Sequence, residues 1–300
     1  MTANGAMTML FDTPAAFRAQ ERRSLALFGM SGVGKTRIAS IVRDDGWFHY
    51  SVDYRIGTRY MGEHIVDNFK REAMKSPLLR ELLMSDSIYI GSNITFENLS
   101  PLSTYLGKPG DPEKGGIPFD EYMRRQAEHR AAEIAAMQDT NPFIDRAQSV
   151  YGYRHFLCDT SGSLCEVVEP DDPEDAVMKP LSERSMILYI REEADHADEL
   201  ARRFDRDPKP MYYNPGFLTD AWQRYLVETG NAPEAVDPDA FIRWAYRELL
   251  AWRAPRYRAV AARWGYTATM AEIAAVRDEA DFLDLTEAVI ARRLGEGVTS

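Results

Sequence analysis

Residues 24–28, Ser-Leu-Ala-Leu-Phe, form a short, mainly apolar run, and the eight residues after it read Gly29-Met30-Ser31-Gly32-Val33-Gly34-Lys35-Thr36. From Arg37 to Asp44 the apolar residues Ile38, Ile41 and Val42 recur at helical spacing, Gly46 stops the pattern, and Trp47 to Val52 is again strand-like. A brief apolar run bounded by glycine reads as a buried strand, and recurrence every three to four residues reads as one face of a helix. This strand–turn–helix–strand succession constrains the fold more than any other feature. Two strands joined through a helix run parallel, with a right-handed crossover. The expected class is therefore α/β.

The turn also carries chemistry. It matches Gly-x-x-x-x-Gly-Lys-Ser/Thr in full. Glycines let the backbone of Gly29, Ser31, Gly32, Val33 and Gly34 curl so that successive N–H groups point inward at phosphate oxygens, and the helix N-terminus adds partial positive charge. Lys35 is expected to bridge the β- and γ-phosphates of ATP, and the Thr36 hydroxyl to ligate Mg²⁺. The plainer reading is a glycine-rich turn that binds nothing. Several nucleotide-binding classes are excluded by absence: there is no Asn/Thr-Lys-x-Asp guanine reader and no Leu-Ser-Gly-Gly-Gln signature. Arg37 stands where a dinucleotide fingerprint needs its third glycine.

Charge narrows the partners. Lys and Arg number 36 against 47 Asp and Glu, a net charge of −11 over 300 residues. Such a chain is unsuited to coating nucleic acid or an anionic membrane, both of which need a basic field. A nucleotide needs only a local nest. The two cysteines, Cys158 and Cys165, fit neither a disulfide framework nor a zinc site, and the expectation is two reduced thiols in a cytoplasmic protein. No signal peptide or membrane-spanning run is expected.

Downstream, a helix is expected over Glu63–Leu83, a short strand over Ile88–Ile94, and a flexible loop over Gly107–Pro118, which holds four glycines and three prolines. Phe119–Gln138 reads as an amphipathic helix with its charges on a solvated face. His155–Cys158 reads as a strand ending at Asp159, followed by the polar turn Thr160–Ser163. Glu166–Asp175, with six acidic residues, reads as an exposed loop, with a partner contact as the alternative. Ser185–Ile190 and Gly265–Ala268 complete five strands. Helices are expected over Ala194–Phe204, Asp220–Glu228, Asp239–Trp252 and Asp284–Leu294. Thr269 and Glu272 have capping-box spacing. The five histidines read as scattered core or surface residues.

These residues resemble the small-molecule and nucleotide kinases of the shikimate-kinase and nucleoside-monophosphate-kinase type. Asp53 ends the second strand with Arg55 and Arg59 close behind. Asp159-Thr160-Ser161-Gly162 ends the third, and Arg202-Arg203-Phe204 follow the fourth. Arg253-Ala254-Pro255-Arg256-Tyr257 gives the closing Arg-x-Pro-x-Tyr pattern. The resemblance implies a phosphate-loop three-layer α/β/α fold of about five mainly parallel strands with a helical insertion. Its core would be 24–59 and 150–300, preceded by an N-terminal extension, 1–23, and interrupted by the insertion 60–149.

The function implied is an ATP- and Mg²⁺-dependent phosphotransferase acting on a small molecule. Lys35, Asp53, Arg59 and Arg203 would be its catalytic groups, and Thr36 and Asp159 its metal ligands. On the residues alone, Asp53 is either an acceptor-orienting base or a helix cap, and Asp159 either a Mg²⁺-holding carboxylate or the start of an Asx-turn. Arg59 and Arg203 are either anion clamps or surface cations. Arg256 is a candidate for the nucleotide base or lid. The alternative function is an ATPase or nucleotide-gated module that signals to a protein partner through 60–149.

Overall fold

The five apolar runs become one sheet. A computed structural model describes residues 9–297 and places β1 (Ser24–Phe28), β2 (Trp47–Ser51), β3 (His155–Asp159), β4 (Met186–Arg191) and β5 (Gly265–Thr269) in the spatial order β2-β3-β1-β4-β5. All four neighbouring pairs are parallel, with Ser51 and Leu27 both opposite Asp159, Leu27 opposite Leu188, and Ile190 opposite Ala268. β1 is thus central, and helices flank the sheet. Leu25, Leu27, Leu157, Cys158 and Leu188 are fully buried, as expected for strands covered on both faces. Among the described residues no helix is long and apolar enough to cross a membrane.

The chain divides into two compact units. The first contains the residues up to Val52, Met137–Leu200, and those from Leu250 onward; the second contains Asp53–Ala136 and Ala201–Leu249. The sheet belongs to the first. So does the described part of the N-terminal extension, whose first eight residues lie outside the described range. A short helix there, Pro14–Arg18, buries Phe17, and the Phe11 amide donates to the Tyr266 hydroxyl at 2.6 Å.

The second unit is helical and joins segments distant in sequence. Its residues 201–249 associate with 53–136 because specific side chains link them. Phe119 stacks on Trp222 with ring centroids 4.7 Å apart. The Gln126 carboxamide accepts from the Tyr213 amide at 2.9 Å and donates to the Met211 carbonyl at 3.3 Å.

Five local expectations are corrected. Glu63–Leu83 is two helices, Gly62–Ala73 and Pro77–Met84, because a proline starts a helix well and continues one badly. Ile88–Ile94 joins no strand ladder among the described residues; Gly91 interrupts it and Tyr89 is exposed. Gly107–Pro118 is an ordered loop rather than a flexible one. It closes on itself through the Gly110 amide and Ile117 carbonyl at 3.0 Å, and its Asp111 amide donates to the Val236 carbonyl at 2.8 Å.

The other two concern charge. The helix Phe119–Gln138 buries Gln126, His129 and Glu133 on one stripe, so its polar residues are not all solvated. In the acidic stretch, Glu166 is buried in an ion pair with Arg253, with Arg253 Nε donating to Glu166 Oε1 at 2.8 Å. Asp175 is buried as well, accepting from the amides of Glu169, Val177 and Met178.

Candidate phosphate-binding site

The turn after β1 is shaped by two glycines that no other residue could replace without strain. Gly29 has φ +144°, and a Cβ there would meet the Ile190 carbonyl oxygen at 2.6 Å. Gly34 has φ +104°, and its Cβ would meet the Ile273 side chain at 2.8 Å. Positive φ and a close neighbour are what glycine tolerates and L side chains do not. Gly34 also precedes the helix Lys35–Val42 and supplies no side-chain cap to it, and an uncapped helix N-terminus favours an anion.

Lys35 is buried and folds back over the turn. Its Nζ donates to the carbonyls of Gly29 at 2.9 Å and Met30 at 3.1 Å. Next to it, the Thr36 hydroxyl donates to Asp159 Oδ2 at 2.7 Å. Strand register brings the two together: Asp159 ends β3 beside Leu27 of β1, and Thr36 stands in the first turn of the helix that β1 feeds.

A hydroxyl and a carboxylate oxygen side by side are hard donors of the kind Mg²⁺ takes. Among the described residues no cluster of three or more His, Cys, Asp or Glu side chains forms a metal cage. Mg²⁺ at phosphate sites uses one or two protein ligands and leaves the rest to phosphate and water, so Thr36 and Asp159 fit it.

Three supports escaped the sequence. The His49 ring, buried on β2, places Nε2 3.7 Å from Asp159 Oδ2, the oxygen that Thr36 also meets. His196 Nε2 lies 3.1 Å from the Ser31 carbonyl. The Tyr257 hydroxyl donates to the Gly162 carbonyl, while Gly162 packs against Ser31: a Cβ added at Gly162 would stand 3.5 Å from the Ser31 nitrogen. Tyr257 closes the Arg-x-Pro-x-Tyr pattern, but no local motif marks His49 or His196, and each of the three reaches the loop from a different element. The burial that places Tyr257 there also holds its phenol far above the usual range.

Other candidates take different places. Arg37, which spoils the dinucleotide pattern, donates to the carbonyls of Ile273 at 2.8 Å and Val276 at 2.7 Å and so fixes the helix behind the loop. Arg256, the candidate for the nucleotide base or lid, ties backbone together. Its guanidinium donates to the carbonyls of Cys165 and Val168, each at 2.7 Å, and lies over Trp252. The Arg-x-Pro-x-Tyr pattern is part of one helix, Pro238–Trp264.

Asp53, Arg59 and Arg203 stand on the second unit. Asp53 is half-buried in the short helix Val52–Arg55. Arg59 is exposed on a π-helical turn, Ile56–Tyr60, and lines a cleft of about 590 Å³ with Thr58, Glu63, Asp67, Lys70 and Ser92. Arg203 is exposed near the end of the helix His196–Arg206. The structure therefore assembles the loop, Thr36 and Asp159 within one unit and carries the remaining candidates on the other.

The first unit is an α/β domain with a phosphate-loop turn after its central strand. Comparison with known proteins adds little to that. No family model matches the chain, and no curated protein matches it. Among solved structures, the 1.7 Å crystal structure of shikimate kinase from Bacteroides thetaiotaomicron is similar over 93% of this chain and 98% of its own, with a TM-score of 0.36 and 14% identity. At that level the likeness bears no functional weight.

Proposed function

We propose that the protein is an ATP- and Mg²⁺-dependent phosphotransferase acting on a small-molecule acceptor. The observation that carries this reading is the glycine-shaped turn with Lys35 folded over it and the Thr36 hydroxyl held 2.7 Å from Asp159. In this reading the loop amides and Lys35 bind the phosphates, and Thr36 and Asp159 hold the metal. Bound Mg²⁺ supplies charge neutralisation to the phosphoryl oxygens. Asp53 orients the acceptor hydroxyl and accepts its proton. Arg59 and Arg203 neutralise charge on acceptor and phosphoryl group. Catalysis of this type is positioning plus electrostatics and asks for no covalent intermediate.

The decisive experiment is a phosphorylation screen of a metabolite pool with labelled ATP, run beside a control without acceptor. Label transferred to an acceptor, and lost in Lys35→Ala and in Asp53→Asn, supports the reading. Asp53→Asn should still bind ATP. Steady ATP hydrolysis that no acceptor stimulates would replace the kinase with an ATPase. The buried Glu166–Arg253 pair weighs against that alternative, since it turns part of the supposed acidic contact surface into core.

A further inference from the structure

A second cluster of positive charge lies at the other edge of the sheet, where β1 and β3 begin. A cleft of about 310 Å³ opens there, lined among others by Arg22, Arg23, Arg154, His155, Glu183 and Arg184. Asp145, also in the lining, is engaged by Arg184, with an N–O distance of 2.6 Å. Within the lining that leaves Glu183 as the remaining carboxylate against Arg22, Arg23 and Arg154, while Glu279 and Glu287 act on Arg23 from outside it. Arg154 Nε donates only to the Glu21 carbonyl, at 2.8 Å, and Arg22 has no hydrogen bond or ion pair among the described residues. In a chain of net charge −11, with nearly a third more acidic than basic residues, three arginines facing one unpaired carboxylate in a lining are a notable local excess.

Hydrogen bonding makes the case sharper. The Arg23 amide donates to His155 Nδ1 at 3.1 Å. A neutral imidazole that accepts at Nδ1 carries its proton on Nε2. Nε2 in turn lies 3.5 Å from Arg23 Nη1, which is also a donor. Two N–H donors thus face one another with no acceptor between them. Arg23 Nε is a buried atom that makes no hydrogen bond. Burial, and then the charges of Arg23 and Arg154, hold His155 down to about 4, so the ring is a neutral donor near neutral pH. Burial and the neighbouring Arg18 and Arg154 lower Arg23 too, against Glu279 and Glu287, which raise it.

We propose that this cleft is a binding site for a small oxyanion, a phosphate or phosphate monoester, held by Arg22, Arg23 and Arg154 with the His155 Nε2–H as neutral donor. An oxyanion there supplies the acceptor that the opposed donors lack, and Arg guanidinium pairs well with phosphate oxygens. The cleft lies at the lower end of small-molecule pocket sizes, which favours a monophosphate over a nucleotide. The site is at the strand ends opposite the glycine-rich turn, so it is an additional anion site on the first unit.

The test is calorimetric titration at constant ionic strength, using inorganic phosphate and glycerol 3-phosphate as separate titrants, on the unsubstituted protein and on Lys35→Ala, Arg154→Gln and Arg22→Gln. Lys35→Ala should keep a site for at least one titrant. Arg154→Gln and Arg22→Gln should each weaken that site by about tenfold, the loss of one charged hydrogen-bond donor. The tighter titrant tells free phosphate from an ester. Absence of any site in Lys35→Ala, or a site indifferent to both arginine substitutions, overturns the proposal. Should Arg154→Gln fail to fold, Arg22→Gln decides alone, since its exposed side chain contributes no bond to the fold.

Discussion

Gly29 and Gly34 look alike in the sequence but have different obligations. A methyl at Gly29 meets backbone, the Ile190 carbonyl, whereas at Gly34 it meets a side chain, the Cγ2 methyl of the buried Ile273. Gly29→Ala should therefore cost the more stability, about 2–3 kcal/mol against about 1–2 for Gly34→Ala. Urea midpoints for the two variants check the order, and equal midpoints would contradict it.

Buried histidines give a second prediction at this scale. Burial holds His129 down to about 3. Its folded value lies below its unfolded one, so the unfolded chain binds more protons and stability falls as pH drops below about 6.5. The loss for His129 should reach about 2 kcal/mol at pH 5. His129→Phe should flatten the fall in unfolding free energy between pH 7 and pH 5. A profile as steep as that of the unsubstituted protein would mean that nearby Glu133, 3.7 Å away, keeps the ring protonated.

Elements are fixed to one another through ion pairs that composition does not reveal. Arg253, on the helix Pro238–Trp264, meets Glu166 on the short helix Leu164–Val167, and both are buried. Arg253→Met strands a buried carboxylate and should destabilise by about 3–5 kcal/mol, whereas Arg253→Met with Glu166→Leu should recover much of the loss. Thermal unfolding of the three proteins tests this. If the single and double variants melt together, the pair is not what matters at this junction.

The sequence made β1 to β5 and the capping box legible, because each depends on neighbours in the chain. Thr269 caps its helix as expected, accepting from the Glu272 amide at 3.2 Å. It misread Ile88–Ile94 and the solvated face of Phe119–Gln138, whose state depends on what packs against them. A run of apolar residues becomes a strand only if a ladder receives it.

At the scale of the whole molecule, an acidic chain is expected to bind a polyphosphate through a local nest. Saturating Mg²⁺ and ATP should raise the melting temperature through linkage. Ligand at a hundred times its dissociation constant contributes about 2.7 kcal/mol, and the shift should vanish in Lys35→Ala. A shift that persists in that variant would place the nucleotide elsewhere.

The parallel α/β core and the phosphate loop were legible along the chain, since strand, turn and helix are contiguous and a loop's backbone shape depends on its own glycines. Folding in three dimensions selects which distant groups stand beside that loop. Asp159 reaches Thr36 through strand pairing 123 residues along the chain, and His49, His196 and Tyr257 arrive from three other elements. It also decided that residues 201–249 belong with 53–136, where sequence had drawn an insertion at 60–149. Such contacts come from register and burial between remote segments, and no local pattern encodes them.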